Sequence, residues 1–382
     1  MSPPITDPLQ ERIAALGLSL WQSIGSQSPG VFASGWQGRL LESAMADPQF
    51  KLDLFRFVDV LPSLRTGRQV ARHVREYLQR DGRELPALLG AAIALASGGL
   101  ASPLAARAIR RNVEAMAQRF IAGATVDDAL PVLRTLREQD LAFTVDLLGE
   151  ATLSASEARV YEARYMELID RLATAAAGWP PNPRLDRDHT GPVPAVNVSL
   201  KISAMHPHLD PVDPSGSVER LRPRVLALLQ RARERNVFVN FDLEQWSLHG
   251  ITYDLFESVC TDPSLRDWPH LGIVVQAYLK SADADVERLV ALARRRSYPV
   301  TVRLVKGAYW EHEVALARQM ALPESSCPVF TDKAATDRNY ERLTAMLFDH
   351  IDLLGPALGC PNLRSITRAL GLAAQTGLPR EA

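Results

Sequence analysis

The sequence predicts an α/β fold, a TIM-type (βα) barrel preceded by an all-helical N-terminal domain. Three observations predict it. Up to about residue 125 the patterned stretches carry apolar residues at i, i+3 and i+4, and no strand-like run interrupts them. From Leu141 onward, short β-branched or apolar runs alternate with amphipathic helical stretches, as parallel βα units do. The crossovers look alike and no point of reversed strand order is visible, which favours a barrel over an open doubly wound sheet. Residues 1–125 are therefore assigned to the helical part and residues 126–382 to the barrel.

In the helical part, the spacing predicts helices over LQERIAALGLSLWQSI from Leu9, KLDLFRFVDVLPSL from Lys51 and RQVARHVREYLQR from Arg68. In the barrel, strands are expected at Phe143–Asp146, Val196–Leu200, Val237–Phe241, Gly272–Gln276 and Val300–Val305, with weaker ones at Pro328–Thr331 and Pro356–Gly359. Helices are expected between them at Val218–Glu234, Ala284–Arg296, Glu311–Met320 and Asp337–Leu353, several with an Asp or Ser near the start as a cap. That makes about seven units. Eight close a barrel, so the expectation is one incomplete at its C-terminus.

Composition narrows the function. The chain has 382 residues, 47% of them hydrophobic, with 43 Lys+Arg against 44 Asp+Glu. This is enough apolar material for a large core, and the charge balance sets aside a nucleic-acid binder, which needs a basic excess. The three cysteines, Cys260, Cys327 and Cys360, are odd in number and far apart, so no disulfide framework or CxxC motif is available and a cytoplasmic setting fits. The first ten residues lack the basic and apolar regions of a signal peptide. The stretch Leu85 to Arg107 is uncharged until its end, but its Ala, Gly and Ser content, Gly98-Gly99 and Pro103 suit a close-packed helix pair better than a membrane span. A peripheral membrane contact stays open.

In a barrel of this kind the functional groups lie where each strand ends. The residues there are Asp146 and Glu150, Lys201 and Ser203, Asp242 and Glu244, Gln276 and Tyr278, Arg303, Lys306 and Tyr309, Thr331 and Lys333, and Asn362. Single members of such a ring are as often paired structural charges as ligands, but a ring with both signs points to a site for a polar, partly anionic ligand. No GxGxxG or Walker A pattern is present, while Gly307 after Val305-Lys306 offers a backbone that a flat ring or phosphate can approach. His206-Pro-His208 has no third metal ligand near it in sequence, and Arg294-Arg-Arg296 reads as a helix end, where cations suit the dipole.

As a set, Asp146-Leu-Leu-Gly-Glu-Ala151, Lys201-Ile-Ser-Ala204, Phe241-Asp-Leu-Glu244, Gln276-Ala-Tyr278 and the specific octapeptide Arg303-Leu-Val-Lys-Gly-Ala-Tyr-Trp310 resemble the proline dehydrogenase family. The N-terminal Asp47-Pro-Gln-Phe-Lys51 and Phe55-Arg-Phe-Val-Asp-Val-Leu-Pro62 further resemble the proline dehydrogenase half of the bifunctional proline utilisation proteins, so the resemblance covers nearly the whole chain. It implies a distorted (βα)8 barrel that holds FAD, oxidises L-proline to Δ1-pyrroline-5-carboxylate and passes electrons to a membrane quinone. Hydride transfer to a flavin asks the protein for orientation and charge more than for acid–base power. By resemblance Lys201 meets the proline carboxylate with Asp242 holding it, Arg303 stands near flavin N5, and Tyr309 walls the substrate pocket. The residues assigned to the cofactor in the same way are Asp242, Leu243, Val274, Gln276, Arg303, Val305, Gly307, Ala308, Thr331, Lys333 and Asn362.

Two departures from the family pattern stand out. Cys360-Pro-Asn362 replaces the usual Thr/Ser-His-Asn triplet, removing an imidazole and a backbone donor, so weaker FAD affinity is expected. The chain also ends at Leu378-Pro-Arg-Glu-Ala382, before the family's eighth strand and the helix whose paired arginines clamp the carboxylate, which suggests a truncated fragment or split product, with supply of the missing part by a partner chain left open. Two other readings compete. One is a Schiff-base aldolase on the same barrel, with Lys201 or Lys306 as nucleophile. The other is a non-catalytic fragment whose helical N-terminal region mediates dimerisation, the simplest form of homo-oligomer.

Overall fold

Local sequence signals place most helix starts. A computed structural model describes residues 8–26, 48–64, 66–78, 111, 121–149 and 151–377; Leu85 to Arg107 and Glu150 lie outside them. The chain groups into two compact units, Trp21–Ala129 and Met1–Leu20 with Leu130–Ala382. In the smaller unit, helices α2 (Pro48–Val60) and α3 (Gly67–Leu78) pack together, and Phe50, Phe57, Leu61, Leu64 and Val70 are buried. Thr66 and Gln69 cap α3 reciprocally: the Thr66 N–H donates to Gln69 Oε1 at 3.0 Å and the Gln69 N–H to Thr66 Oγ1 at 3.3 Å.

The larger unit is built on six parallel strands: β1 (Val145–Asp146), β4 (Asn197–Leu200), β5 (Phe238–Phe241), β6 (Leu271–Gln276), β7 (Val300–Val305) and β8 (Leu354–Gly359). They lie side by side in sequence order, as successive βα units require, with β1 and β8 at the two edges of the sheet. A short hairpin, β2 (Arg187–Asp188) with β3 (Gly191–Pro192), precedes β4. The helices of this unit are α1 (Pro8–Ser26, through Leu20), α4 (Val126–Glu138, from Leu130), α5 (Ala155–Ala176), α6 (Pro214–Glu234), α7 (Trp246–Cys260), α8 (Ala282–Arg296), α9 (Trp310–Gln319), α10 (Lys333–Asp349) and α11 (Leu363–Ala373). A Cβ built on Gly371 of α11 would stand 3.0 Å from Leu9 of α1, so the absent side chain lets the two helices approach.

The strand pattern divides the barrel into an inside and an outside. On β7, Val300, Val302 and Leu304 are fully buried under helices, whereas Thr301, Arg303 and Val305 alternate with them. On β5, Phe241 meets Phe256 of α7 edge-on, ring centroids 5.1 Å apart, while Asn240 has the opposite parity. Register is set by the same apolar sets, which pair Ser199 with Asn240 and Val274 with Arg303.

Two expectations change. Pro328–Thr331 is not a parallel strand: Val329 makes one antiparallel bridge to Leu279, fixed by Lys280 N–H to Pro328 O and Phe330 N–H to Tyr278 O. Pro328 has no N–H to give a ladder, and the run is too short to form one without it. Helices α6 and α10 begin four residues before their expected starts. Asp213 accepts from the Gly216 N–H with Pro214 at the first helical position, and Asp332 accepts from Ala334 and Ala335. Among the described residues no helix is long and apolar enough to cross a membrane.

Phe256→Ala should lower unfolding stability by about 3–5 kcal/mol through the cavity it leaves, and Asp213→Ala by about 1 kcal/mol through loss of the cap; urea unfolding of the two variants measures both.

Candidate functional site

Alternation along neighbouring strands carries polar side chains to the same interior. Ser199 and Lys201 share one face of the β4 chain, Asn240 and Asp242 one face of the β5 chain, and Arg303 faces them from β7. The result is a row of alternating charge. Lys201 Nζ lies 2.5 Å from Asp146 Oδ2 and 3.3 Å from Asp242 Oδ2. The other Asp242 oxygen accepts from Arg303 Nη2 and, at 3.4 Å, from Asn240 Nδ2. Arg303 Nη2 also donates to Ser199 Oγ at 3.1 Å. Four charged groups from four strands thus form one chain of ion pairs, Asp146, Lys201, Asp242, Arg303.

Burial makes this arrangement obligatory. Lys201 is 9% exposed, and burial alone would lower its pKa. The hydrogen bond to Asp146 and the charge of Asp242 outweigh burial and raise it above that of an ordinary lysine. An ammonium engaged by two carboxylates is the reverse of a free amine nucleophile, which speaks against the Schiff-base reading at Lys201. Lys306, the other candidate, is ion-paired to Asp337 at 2.5 Å. Beneath the row, Tyr165 is fully buried, and that burial pushes its hydroxyl pKa up.

The wall beside the row is formed by β6 and the end of β7. Val274 is buried in β6, and Gln276 is buried at its end, where its amide donates to Glu244 O at 3.3 Å and Leu243 O at 3.5 Å. Gly307 has φ +119°, and a Cβ there would be 2.6 Å from the Tyr278 ring, so only glycine fits this turn. Ala308 and Tyr309 follow, with Tyr309 at the start of α9. A second cation cluster stands at the start of α10, where Asp337 accepts from Lys306 and, at 2.7 Å, from Lys333. Burial would raise the Asp337 carboxyl pKa, but the two lysines hold it below the usual carboxylate range.

Not every expected residue joins the row. Thr331 turns its hydroxyl to Glu324, Lys333 is largely exposed, and Asn362 caps α11 by accepting from the Ser365 N–H at 3.2 Å. His206 and His208 sit in an exposed loop, and among the described residues no group of three His, Cys, Asp or Glu could hold a metal.

Sequence reasoning missed Ser199, Asn240 and Asp337. The first two carried a usable signal, since each lies two residues before a strand-end charge and so shares its face. Asp337 carried part of one, since Lys333 lies four residues before it on α10, whereas its other partner, Lys306, becomes a neighbour only when α10 folds against β7.

The comparisons with known proteins bear on this geometry. Residues 129–382 match the family model described as proline dehydrogenase, and residues 10–120 the model of the proline utilization A N-terminal domain. The bifunctional protein PutA of Salmonella typhimurium is 30% identical over 314 residues, which span 82% of this chain and 22% of that protein. Proline dehydrogenase 1 of Bacillus subtilis subsp. natto is 27% identical over 227 residues, 59% of each. The crystal structure of PutA from Bdellovibrio bacteriovorus inactivated by N-propargylglycine superposes with a TM-score of 0.86 at 37% identity, covering 98% of this chain and 37% of that one. The chain therefore spans about a fifth of the length of the curated bifunctional relative.

The Lys201 pairing fixes a pH dependence. Because its folded pKa is raised above 10.5, its contribution to stability is complete below that value and is lost as pH rises through the folded pKa. Urea unfolding at a series of pH values should show the stability gap between the wild type and Lys201→Met narrowing as pH climbs above about 10.5, while the buried tyrosines affect both proteins alike.

Proposed function

The chain belongs to the proline dehydrogenase family, and on that premise we propose that its barrel oxidises L-proline to Δ1-pyrroline-5-carboxylate in proline breakdown to glutamate, with FAD as the cofactor and a membrane quinone as the final electron acceptor. The observation that carries this reading is the ion-pair row Asp146, Lys201, Asp242, Arg303, which presents a fixed ammonium and a fixed guanidinium to one interior.

The residues present fit a flavin in kind. Val274, Leu243 and Val305 are apolar, Gln276 brings an amide, and the glycine turn at Gly307 with Ala308 after it leaves room that a side chain would fill. Arg303 supplies a cation for an electron-rich ring, and Lys306 and Lys333 supply cations for a pyrophosphate, with Thr331 and Asn362 at the neighbouring loops. When bound, FAD supplies the two-electron acceptor that no side chain of the chain provides.

The chain's own residues then do the positioning. The Lys201 ammonium binds the proline carboxylate, and Asp146 with Asp242 keeps it protonated and aimed. Arg303, held by Asp242 and Ser199, keeps positive charge where negative charge grows as hydride leaves the ring carbon beside nitrogen. Tyr309, half-buried beside Gly307, bounds the space left for the substrate ring.

The test is spectroscopic. The purified chain mixed with FAD and titrated anaerobically with L-proline should show a bound-flavin visible band that bleaches; a bound flavin that proline leaves oxidised overturns the reading. Lys201→Ala should lower kcat/KM for proline roughly 10- to 100-fold, the worth of a hydrogen bond to a charged group, mainly through KM.

A further inference from the structure

Above the ion-pair row lies a second set of contacts that the proposed reaction does not use. Glu244 is 3% exposed, and Ser203 engages both oxygens of its carboxylate. Oε2 accepts from the Ser203 N–H at 3.2 Å and Oε1 from the Ser203 hydroxyl at 2.5 Å. Having given its proton to Glu244, the Ser203 oxygen accepts from the Ala151 N–H at 3.2 Å. The Ser203 carbonyl accepts from both the N–H and the hydroxyl of Thr152, each at 3.1 Å. Glu244 thus fastens the turn after β4, and that turn fastens the loop after β1.

The loop needs fastening. Ala151 has φ +37° and Gly149 φ +123°, left-handed conformations that cost energy at the alanine and persist only where surrounding contacts over-determine them. The loop's far end is pinned by a capping box, with Ser154 accepting from the Glu157 N–H and Glu157 accepting from the Leu153 N–H at 2.7 Å. Its near end begins at Asp146, the residue that grips Lys201. Between those two anchors the backbone N–H groups of Ala151 and Thr152 are both held by Ser203.

We infer that Glu244 and Ser203 are positioning residues for the substrate carboxylate: acting through Ala151 and Thr152, they hold the strained loop after β1 so that Asp146 stays aimed at Lys201. The inference rests on the proposed role of Lys201. A hydroxyl relaying between a carboxylate and a backbone N–H has a fixed direction, so removing either end loosens the loop, while Gln276, which bonds the Glu244 backbone carbonyl and not its side chain, keeps its contact. The cost therefore falls on carboxylate binding rather than on the flavin side.

Three variants test it in the full chain. Ser203→Ala removes the relay; Glu244→Gln turns an acceptor into a donor, so that the Ser203 oxygen receives from both sides; Ser203→Thr keeps the hydroxyl. Ser203→Ala and Glu244→Gln are expected to raise the proline KM roughly 3- to 30-fold with kcat and the bound-flavin spectrum little changed, and Ser203→Thr to restore KM. Amide hydrogen exchange, which needs no turnover, should show Ala151 and Thr152 protected in the wild type and in Ser203→Thr, and losing that protection in the other two, while the β4 and β5 amides keep theirs. An unchanged KM in a variant whose loop exchanges faster, a loss of kcat in step with flavin binding, or unchanged protection at Ala151 and Thr152 each overturns the inference. A wild type whose bound flavin proline cannot reduce overturns the proposed function instead, and the exchange data then decide the relay alone. If Ser203→Ala does not fold, Glu244→Gln gives the same readouts.

Discussion

The Asp242 carboxylate is the contact on which the site depends. It accepts from Lys201 on one oxygen and from Arg303 and Asn240 on the other, so one side chain at the end of β5 joins groups from β4 and β7. Cations this close would repel without an anion between them, and a single buried cation would shed its proton or draw in water. The alternation lets Lys201 be buried and Asp242 and Arg303 half-buried against neighbours of opposite sign, with Asp146 at the exposed end of the row. Breaking a buried pair by removing one partner is worth several kcal/mol, far more than a surface ion pair, because the remaining charge is left uncompensated.

That constraint couples stability to chemistry. The contacts that keep Lys201 protonated also fix where its ammonium points, and those that fix the Arg303 guanidinium use Asp242 together with the Ser199 hydroxyl. A site in which the charges are already oriented need not reorganise when a ligand arrives, the condition under which fixed charges act most strongly. The rigid part of the barrel serves this end. Outward-facing Val300, Val302 and Leu304 lock β7 under its helices, and the same alternation turns Arg303 inward. The charged row and the apolar residues Val274, Leu243 and the Gly307 turn thus form adjoining walls, the two kinds of surface that the proposed function requires.

Much of this was legible in the chain. The five strongest strand signals each became a strand, the first shortened to Val145–Asp146; Asp146, Lys201 and Asp242 stand at or directly after such a run and Arg303 within one. The failures were local. Pro328–Thr331 had strand composition but lacked the donor a ladder needs, and it became a single antiparallel bridge. Thr331, Lys333 and Asn362 stand outside the ion-pair row, engaged with Glu324, Asp337 and the first turn of α11 respectively, and their cofactor role belongs to the proposed function. Helix starts were placed late where the cap, Asp213 or Asp332, stood ahead of the apolar pattern, because a cap acts on backbone donors and leaves no trace in hydrophobic spacing.

The sequence by itself determined the order and direction of the βα units and which charged residues stand at strand ends, since periods of two and 3.6 residues are written locally. Only the tertiary structure decided who pairs with whom. Lys201 and Asp242 are 41 residues apart and Arg303 a further 61, and nothing in either interval encodes that they meet. Their meeting follows from strand register, which packing of the outward apolar faces sets across the whole sheet. For the same reason the pairing of Asp337 with Lys306 and the fastening of Ala151 and Thr152 to Ser203 could not be read in advance, because each contact exists only once separate βα units lie side by side.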